Sequence, residues 1–338
     1  MNQPTLAIIG ATGTLGQLVC HHVMSTYNKT FNYIVTDYKL ERGEMIRERW
    51  RNRDVHCEFM KLDVTSEDDI ANVVSHADLV LIAVSQREPL IQKSCMKADV
   101  PTIDVNAFYS FAERVKVLDN PYDTTNVIMA GLLPGLSVIL AIEAAKNLST
   151  VDDVHVGFLQ STNALAGAQG AADMLTIVSS QLAGRHRGFK KKRAFTNGST
   201  SITLRKIQHS EQTIMKNVFN KATIHYWTSW DSMLFNRLVS TLIALRVLPN
   251  HRHLFSRFAK HHPDQSEEAT LFVELTGLRN QKRAKSAQQL TVKSDYEATA
   301  LVVTGLIPIV FTSKANGVVE PWQIATVQDL PVQKMKAK

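Results

Sequence analysis

The sequence predicts an α/β chain in two parts: a doubly wound parallel sheet, then an α+β domain on a mixed or antiparallel sheet. Three observations predict it. Apolar runs of strand length alternate with helical patterns from the N-terminus to about residue 130. The glycine turn Gly10-Ala-Thr-Gly13-Thr-Leu-Gly16 directly follows the first run and opens a helix. After Gly135 the strand signals become longer, more polar and more widely spaced.

Taken in order, residues 6–9 form the first strand, an apolar run ending at Gly10. Residues 15–24 carry apolar side chains at helical spacing. Residues 33–35 are a second strand, ending at Asp37. Residues 39–54 hold Lys39, Arg42, Arg47, Arg49, Arg51 and Arg53 against Glu41, Glu44 and Glu48, which predicts a surface helix and loop. Residues 57–60 are a third strand. Ser66 opens the next helix, because its hydroxyl can cap and Glu67, Asp68 and Asp69 suit the positive helix end. Residues 79–84 are a fourth strand, 90–96 a helix, 102–105 a fifth strand and 126–129 a sixth. Six strands with crossovers give the rhythm of a Rossmann-type sheet.

In the second half, residues 136–147 predict a helix, 153–160 a strand and 164–182 a helix rich in Ala and Gly. A basic run follows: Arg185, Arg187, Lys190, Lys191, Lys192 and Arg193. Residues 201–207 and 223–227 are strand-like, and 230–248 helical. Residues 270–277 and 287–293 are two more strands, joined by a basic hairpin with Gly277, Arg279, Lys282 and Arg283. Residues 296–306 are helical. Four or five strands are expected in this domain.

A length of 338 residues suits two domains and a full hydrophobic core. Hydrophobic residues at 44% and charged residues at 20% exclude a mainly disordered chain, a collagen or a coiled coil. Cys20, Cys57 and Cys95 are widely spaced, so neither a disulfide framework nor a cysteine zinc site is read. A reducing, cytoplasmic setting is the expectation. The net charge of +7 permits acidic partners without demonstrating them. The opening residues read as a first strand rather than a signal peptide, since no basic stretch precedes the apolar run. The apolar stretch 132–145 is short for a bilayer, and 233–248 is broken by Arg237 and Arg246, so no membrane contact is expected.

The glycine turn carries the sharpest chemistry. Gly10 permits the bend, Gly13 lets backbone approach a pyrophosphate, and Gly16 lets the helix pack on the sheet. Thr12, Thr14 and Leu15 complete the loop, whose helix N-terminus offers N–H groups to phosphate. The spacing is GxxGxxG, and a phosphate-free structural turn is the alternative. Asp37 ends the second strand, where a carboxylate takes ribose hydroxyls and favours NAD. Lys39 and Arg42 pull towards the extra phosphate of NADP, so the cofactor is NAD or NADP. Asp63 can reach an adenine amino group or cap a helix. Ala83, Val84 and Ser85 end the fourth strand where cofactor ribose and nicotinamide would pass. Gln86, Asp104 and Asn106 stand on the same sheet edge as candidate substrate contacts, or as turn residues.

These residues resemble a known family. Ala7-Ile-Ile-Gly10-Ala-Thr-Gly13, Ala77-Asp78-Leu-Val-Leu, Val100-Pro-Thr-Ile-Asp104 and Gly131-Leu-Leu-Pro134-Gly135-Leu136-Ser137 together are similar to saccharopine dehydrogenase-like proteins. Asp295-Tyr296-Glu-Ala-Thr299-Ala and Asn316-Gly317-Val-Val-Glu-Pro321 are similar to that family's final helix and closing turn. The resemblance implies a nicotinamide dinucleotide, a substrate domain, and a last helix that packs back on the first domain. The implied division is 1–134, 135–294 and 295–338. Two stretches depart from the family pattern: Val84-Ser85-Gln86-Arg87-Glu88-Pro89 lacks a Gly-Pro, and Thr102-Ile103-Asp104 lacks an aromatic.

The sequence names no catalytic residue, because hydride transfer asks little of side chains beyond orientation and one proton donor. His155, His209, His225 and Tyr226 stand in strand-like segments as weak candidates. Gln160 and Asn163 flank a strand end and are candidate substrate contacts facing an inter-domain cleft, with helix capping by Thr162 or Asn163 the alternative. The basic run is a solvated loop or a site for an acidic or CoA-like ligand; nucleic acid is not expected. Tyr226, Trp227 and Trp230 read as core, with the lining of an apolar pocket or a subunit contact the alternative. No metal is expected, since the histidine pairs at 21–22 and 261–262 are adjacent rather than four apart. The expected function is an NAD(P)-dependent oxidoreductase of this type on a small, acidic or amino-acid-like substrate, compatible with a homodimer. The alternative is a dinucleotide-binding sensor without catalysis.

Overall fold

The computed structural model describes residues 3–165, 168–180, 188–197, 200–245, 247, 261–262, 264–312 and 315–336. The chain divides into two compact units, Met1–Leu136 with Tyr296–Lys334, and Ser137–Asp295 with Met335–Lys338.

The first unit alternates β1 (Thr5–Ile9), α1 (Thr14–Tyr27), β2 (Asn32–Asp37), α2 (Leu40–Arg51), β3 (Cys57–Lys61), α3 (Glu67–Val74), β4 (Leu79–Ile82), α4 (Leu90–Lys97), β5 (Thr102–Asp104), α5 (Tyr109–Lys116) and β6 (Asn126–Val127). Its sheet runs β3-β2-β1-β4-β5-β6 and ends on β13 (Val318–Val319), with every pairing parallel. Helices cover both faces of such a sheet, which is why β1 and β4 are almost wholly apolar and buried. Ser66 caps α3 as expected, accepting from the Asp69 N–H at 3.2 Å.

The helix Asp295–Thr312 is long and apolar enough to cross a bilayer by length and composition, yet more than half of it is buried. Within this unit Thr304 O accepts from the Tyr27 hydroxyl at 3.1 Å, and Phe311 stacks on Phe31 at 5.4 Å. Neither α5 nor β13 is anticipated in the sequence. The Val318–Val319 pair is too short for a periodic signal, and α5 carries Arg, Lys and Glu among its few apolar positions.

The second unit holds α6 (Leu136–Ala145), β7 (Thr150–Gln160), α7 (Ala168–Ser179), β8 (Lys192–Asn197), β9 (Thr200–Ile207), α8 (Glu211–Val218), β10 (Thr223–Trp230), α9 (Met233–Ala244), β11 (Ala269–Arg279) and β12 (Lys282–Val292). The sheet order is β12-β11-β7-β10-β9-β8, with only β7–β10 parallel. It is therefore mixed, with six strands instead of four or five. The extra one is β8, which begins inside the basic run: alternation puts successive cations on opposite faces, so a charged run still fits a strand. Trp230 ends a strand rather than opening a helix. Ser232 caps α9 through the Phe235 N–H at 3.2 Å, and Asn236 Oδ1 accepts from the Trp230 N–H at 3.0 Å. Arg185 and Arg187 lie outside the described residues.

This sheet coils on itself. Phe195 on β8 and Phe272 on β11 meet ring to ring at 5.5 Å, and with Leu204 and Trp227 they form a buried apolar cluster on the concave face. The hairpin β11–β12 closes through Asn280 and Gln281, both in the left-handed region at φ 50° and 64°. That backbone matches the twist of a two-residue hairpin turn.

Candidate functional site

The β1–α1 turn is built by its glycines. Gly10 sits at φ +85°, and a Cβ there would come within 2.8 Å of Ala83 O. A Cβ on Gly16 would run into Gly10 O, so α1 seats directly on the turn. Gly13 differs: its nearest neighbour to an added Cβ is Gly10 O at 3.4 Å, so one side of the backbone is open. Gly13 is also the N-cap of α1 with no side-chain cap, leaving the first-turn N–H groups of Thr14, Leu15 and Gly16 without intrahelical partners.

A cavity of about 440 Å³ opens over this turn, lined among others by Gly10, Thr12, Gly13, Asp37, Arg42, Asp63, Ala83 and Val84. Asp37 is buried beside it. Arg42 Nη2 donates to both carboxylate oxygens at 2.8 and 2.9 Å, the Lys39 N–H donates at 2.7 Å, and the Thr12 hydroxyl donates as well. Burial alone would raise the Asp37 carboxyl; the hydrogen bonds from Thr12, Lys39 and Arg42 outweigh it and hold the group below its usual value. The Tyr38 ring lies under both the Lys39 ammonium, at 5.6 Å, and the Arg42 guanidinium, at 5.1 Å. Tyr38 is itself a cavity residue that sequence reasoning passed over, since its neighbours carried the charge signal.

Asp63 is spent locally on one side. Its Oδ1 accepts from the Thr65 N–H at 2.9 Å and the Thr65 hydroxyl at 2.7 Å, which lower its carboxyl, while its edge faces the cavity. Lys39 contributes its backbone to Asp37, and neither its side chain nor Ser85 lines the cavity.

Gln86, Asp104 and Asn106 come together in one network at the carboxyl end of β4 and β5. The Gln86 amide donates to Gln92 Oε1 at 3.3 Å, and the Gln92 amide to Asp104 Oδ2 at 2.7 Å. Asp104 Oδ1 accepts from the Asn106 N–H at 2.8 Å, and Asn106 Oδ1 from the Phe108 N–H at 3.0 Å. Burial pushes the Asp104 carboxyl up to about 7, against the lowering hydrogen bonds from Asn106 and Gln92. Gln92 is the missed member. It is fully buried on α4, and its apolar helical neighbours mask it in sequence.

Gln160 and Asn163 are both buried in the second unit and bonded inside it. Gln160 donates to Thr228 Oγ1 at 3.0 Å. Asn163 donates to His262 O at 2.9 Å and Gln265 O at 3.0 Å and accepts from the His262 N–H at 2.7 Å. Thr162 bonds Asp231 rather than capping a helix. His209 stacks on Tyr226 at 5.1 Å, and Tyr226 donates to Glu211 Oε2 at 2.7 Å in the core. Strand pairing sets His225 beside His155, and with Asp153 their ligand atoms lie within 4.8 Å of one another. Burial first, then Arg193 and His225, push His155 down to about 4. A search for four-residue histidine spacing misses this set, because cross-strand register creates it.

No protein-family model and no curated protein matches the sequence. Solved structures do match in fold. The chain is similar to apo saccharopine dehydrogenase (L-Glu forming) from Saccharomyces cerevisiae, with a TM-score of 0.70, 11% identity, and 94% of each chain covered. It is also similar to an engineered D-amino acid dehydrogenase, with a TM-score of 0.51, 11% identity, and 98% of this chain and 96% of that one covered. These matches show that the chain has a saccharopine dehydrogenase-like fold.

Proposed function

We propose that the chain is an NAD(P)-dependent oxidoreductase acting on a small, acidic or amino-acid-like substrate. One observation carries this reading: the open backbone at Gly13 and the Asp37–Arg42 pair share a single cavity at the N-terminus of α1. Those residues fit the group. The first-turn N–H groups of α1 suit a pyrophosphate. Asp37, already oriented by Thr12 and Arg42, would accept ribose hydroxyls, and Arg42 would supply the cation for a 2′-phosphate. Ala83, Val84 and Asp63 line the same cavity, where Ala83 and Val84 would border the rest of the cofactor and Asp63 would take the adenine amino group. A bound nicotinamide supplies the hydride donor or acceptor.

Burial raises the Asp104 carboxyl to about 7, which suits it to exchange a proton near neutrality, and Gln92 and Gln86 continue from it as a chain of amides. That both neighbours in fold are dehydrogenases supports the reaction class. Calorimetric titration with NADH and NADPH tests the reading: wild type binds at least one of them, and Gly13→Val loses it while staying folded. Unchanged affinity in a folded Gly13→Val protein refutes the assignment.

One observation favours a second reading, a dinucleotide-binding sensor. Asp104 and Asn106 spend acceptor oxygens on their own turn, which leaves less polar chemistry for a substrate. Cofactor oxidation across a panel of oxo and amino acids separates the two, since a sensor binds NAD(P)H and turns over none of them.

A further inference from the structure

The second unit contains another cavity, of about 1370 Å³, that the dinucleotide reading does not use. Six cations line it: Lys190, Lys191, Arg205, Lys206, Lys216 and Lys221. No lining residue among those described is an aspartate or glutamate. None of the six takes part in an ion pair among the described residues. Like charges gathered without counter-charge repel, and an anionic ligand is the direct way to relieve that.

Three of the cations are held by contacts. The Arg205 guanidinium lies 5.1 Å from the Phe189 ring, and the Lys206 ammonium 6.0 Å from Trp227. Lys216 Nζ donates to Ala222 O at 2.7 Å, which leaves two of its three donors for another partner. Burial, then the neighbouring Lys191, weakens the hold of Lys206 on its proton; burial and Arg237 do the same for Arg205. Ser240 on α9 adds an independent sign. Ser240 lines the cavity, and its Oγ is shielded from solvent with no hydrogen-bond partner among the described residues. A buried hydroxyl left unsatisfied beside a cationic wall is a natural contact for a ligand oxygen.

We propose that this cavity binds a small organic molecule carrying two or more phosphate groups. Phosphate is favoured because it takes several charge-assisted hydrogen bonds at once from lysine and arginine. An organic body is favoured because Phe189, Ile224 and Ile243 line the same space. A cavity of this volume holds a ligand the size of a nucleotide or larger.

ATP is the probe, titrated by calorimetry into the full chain at one fixed salt concentration. It binds the wild type, and Lys206→Gln/Lys216→Gln weakens that binding by about tenfold or more. Lys206→Arg/Lys216→Arg keeps it within roughly threefold, because charge is retained. Should the glutamine pair fail to fold by thermal melting, Lys190→Gln/Lys221→Gln serves in its place with the same expectation. Loss on second-unit substitutions makes the result independent of whether the first unit takes a dinucleotide. Affinity unchanged in the folded glutamine variants overturns the proposal, as does no saturable binding below roughly 1 mM. A single-stranded 20-nucleotide DNA binding more than about tenfold tighter than ATP, and lost in the same variants, also overturns it in favour of nucleic acid.

Discussion

Arg193 and Glu274 stand on strands four positions apart in the second sheet, yet their side chains pair at 3.0 Å. Strands spaced about 4.8 Å apart would hold them roughly 19 Å apart in a flat sheet. The pair therefore registers how far β8 rolls over towards β11, with Phe195 against Phe272 beneath it. Glu274 is buried and also meets Lys285 at 2.9 Å. A double-mutant cycle on Arg193→Ala and Glu274→Ala, read by urea unfolding, should return a coupling of about 1–2 kcal/mol. A coupling near zero would mean the apolar cluster alone holds the roll.

Two glycines of the first turn should separate stability from binding. Gly16→Ala drives a methyl into the Gly10 carbonyl and should destabilise the chain by about 1–3 kcal/mol or more. Gly13 has φ −69°, a value any residue adopts, and 3.4 Å of room, so Gly13→Ala should change stability by less than about 0.5 kcal/mol. Its effect should appear in NAD(P)H affinity. Thermal melting with and without cofactor checks both.

Under the proposed function, Arg42 sets the cofactor preference. In wild type, NADH should bind slightly tighter than NADPH, with both measurable. Arg42→Ala removes two contacts to Asp37 and the cation available to a 2′-phosphate. At about 1.5–3 kcal/mol per charged hydrogen bond, NADPH should weaken roughly tenfold to a hundredfold relative to NADH. Lys39→Ala should matter less, because Lys39 serves Asp37 through its backbone. NADPH binding tenfold tighter than NADH in wild type would refute the preference.

Asp104 makes a pH prediction. Its folded-state value of about 7 lies above its reference value of 3.8, so between those limits the folded chain binds a proton that the unfolded chain has lost. This contribution is fully present below about pH 4 and disappears as the pH rises through 7. Asp104→Asn should flatten that slope. The stability difference between variant and wild type should shift in favour of the variant by up to about 4 kcal/mol between pH 4 and pH 8. Parallel pH profiles would show that Asp104 is not the titrating group.

The first unit was legible because buried parallel strands are plain apolar runs, and because Gly10 and Gly16 stand at a strand–helix junction where few other residues fit, with Gly13 spaced between them. The second unit was less so. Lys192 and Arg193 begin a strand that propensity does not favour, held by register with Leu204 and Arg205. Gln92 and the Asp153–His155–His225 set depend on side chains meeting across elements, and no local pattern encodes that. The basic wall of the second cavity joins Lys190 and Lys191 to Lys216 and Lys221 through the fold, so the linear run shows only part of it.

The terminal strand of the first sheet has a consequence for biosynthesis. Val318–Val319 pairs with Asn126–Val127, and the Ser137–Asp295 part of the second unit is translated in between. At 5–20 residues per second, β6 waits about 10–40 s on the ribosome with one edge unpaired. The nascent first sheet thus passes through a stage with an open strand edge, which is where strand-to-strand aggregation begins. A nascent chain stalled before residue 318 should therefore recruit chaperones or aggregate more than one carrying all 338 residues, as crosslinking on stalled ribosomes would show.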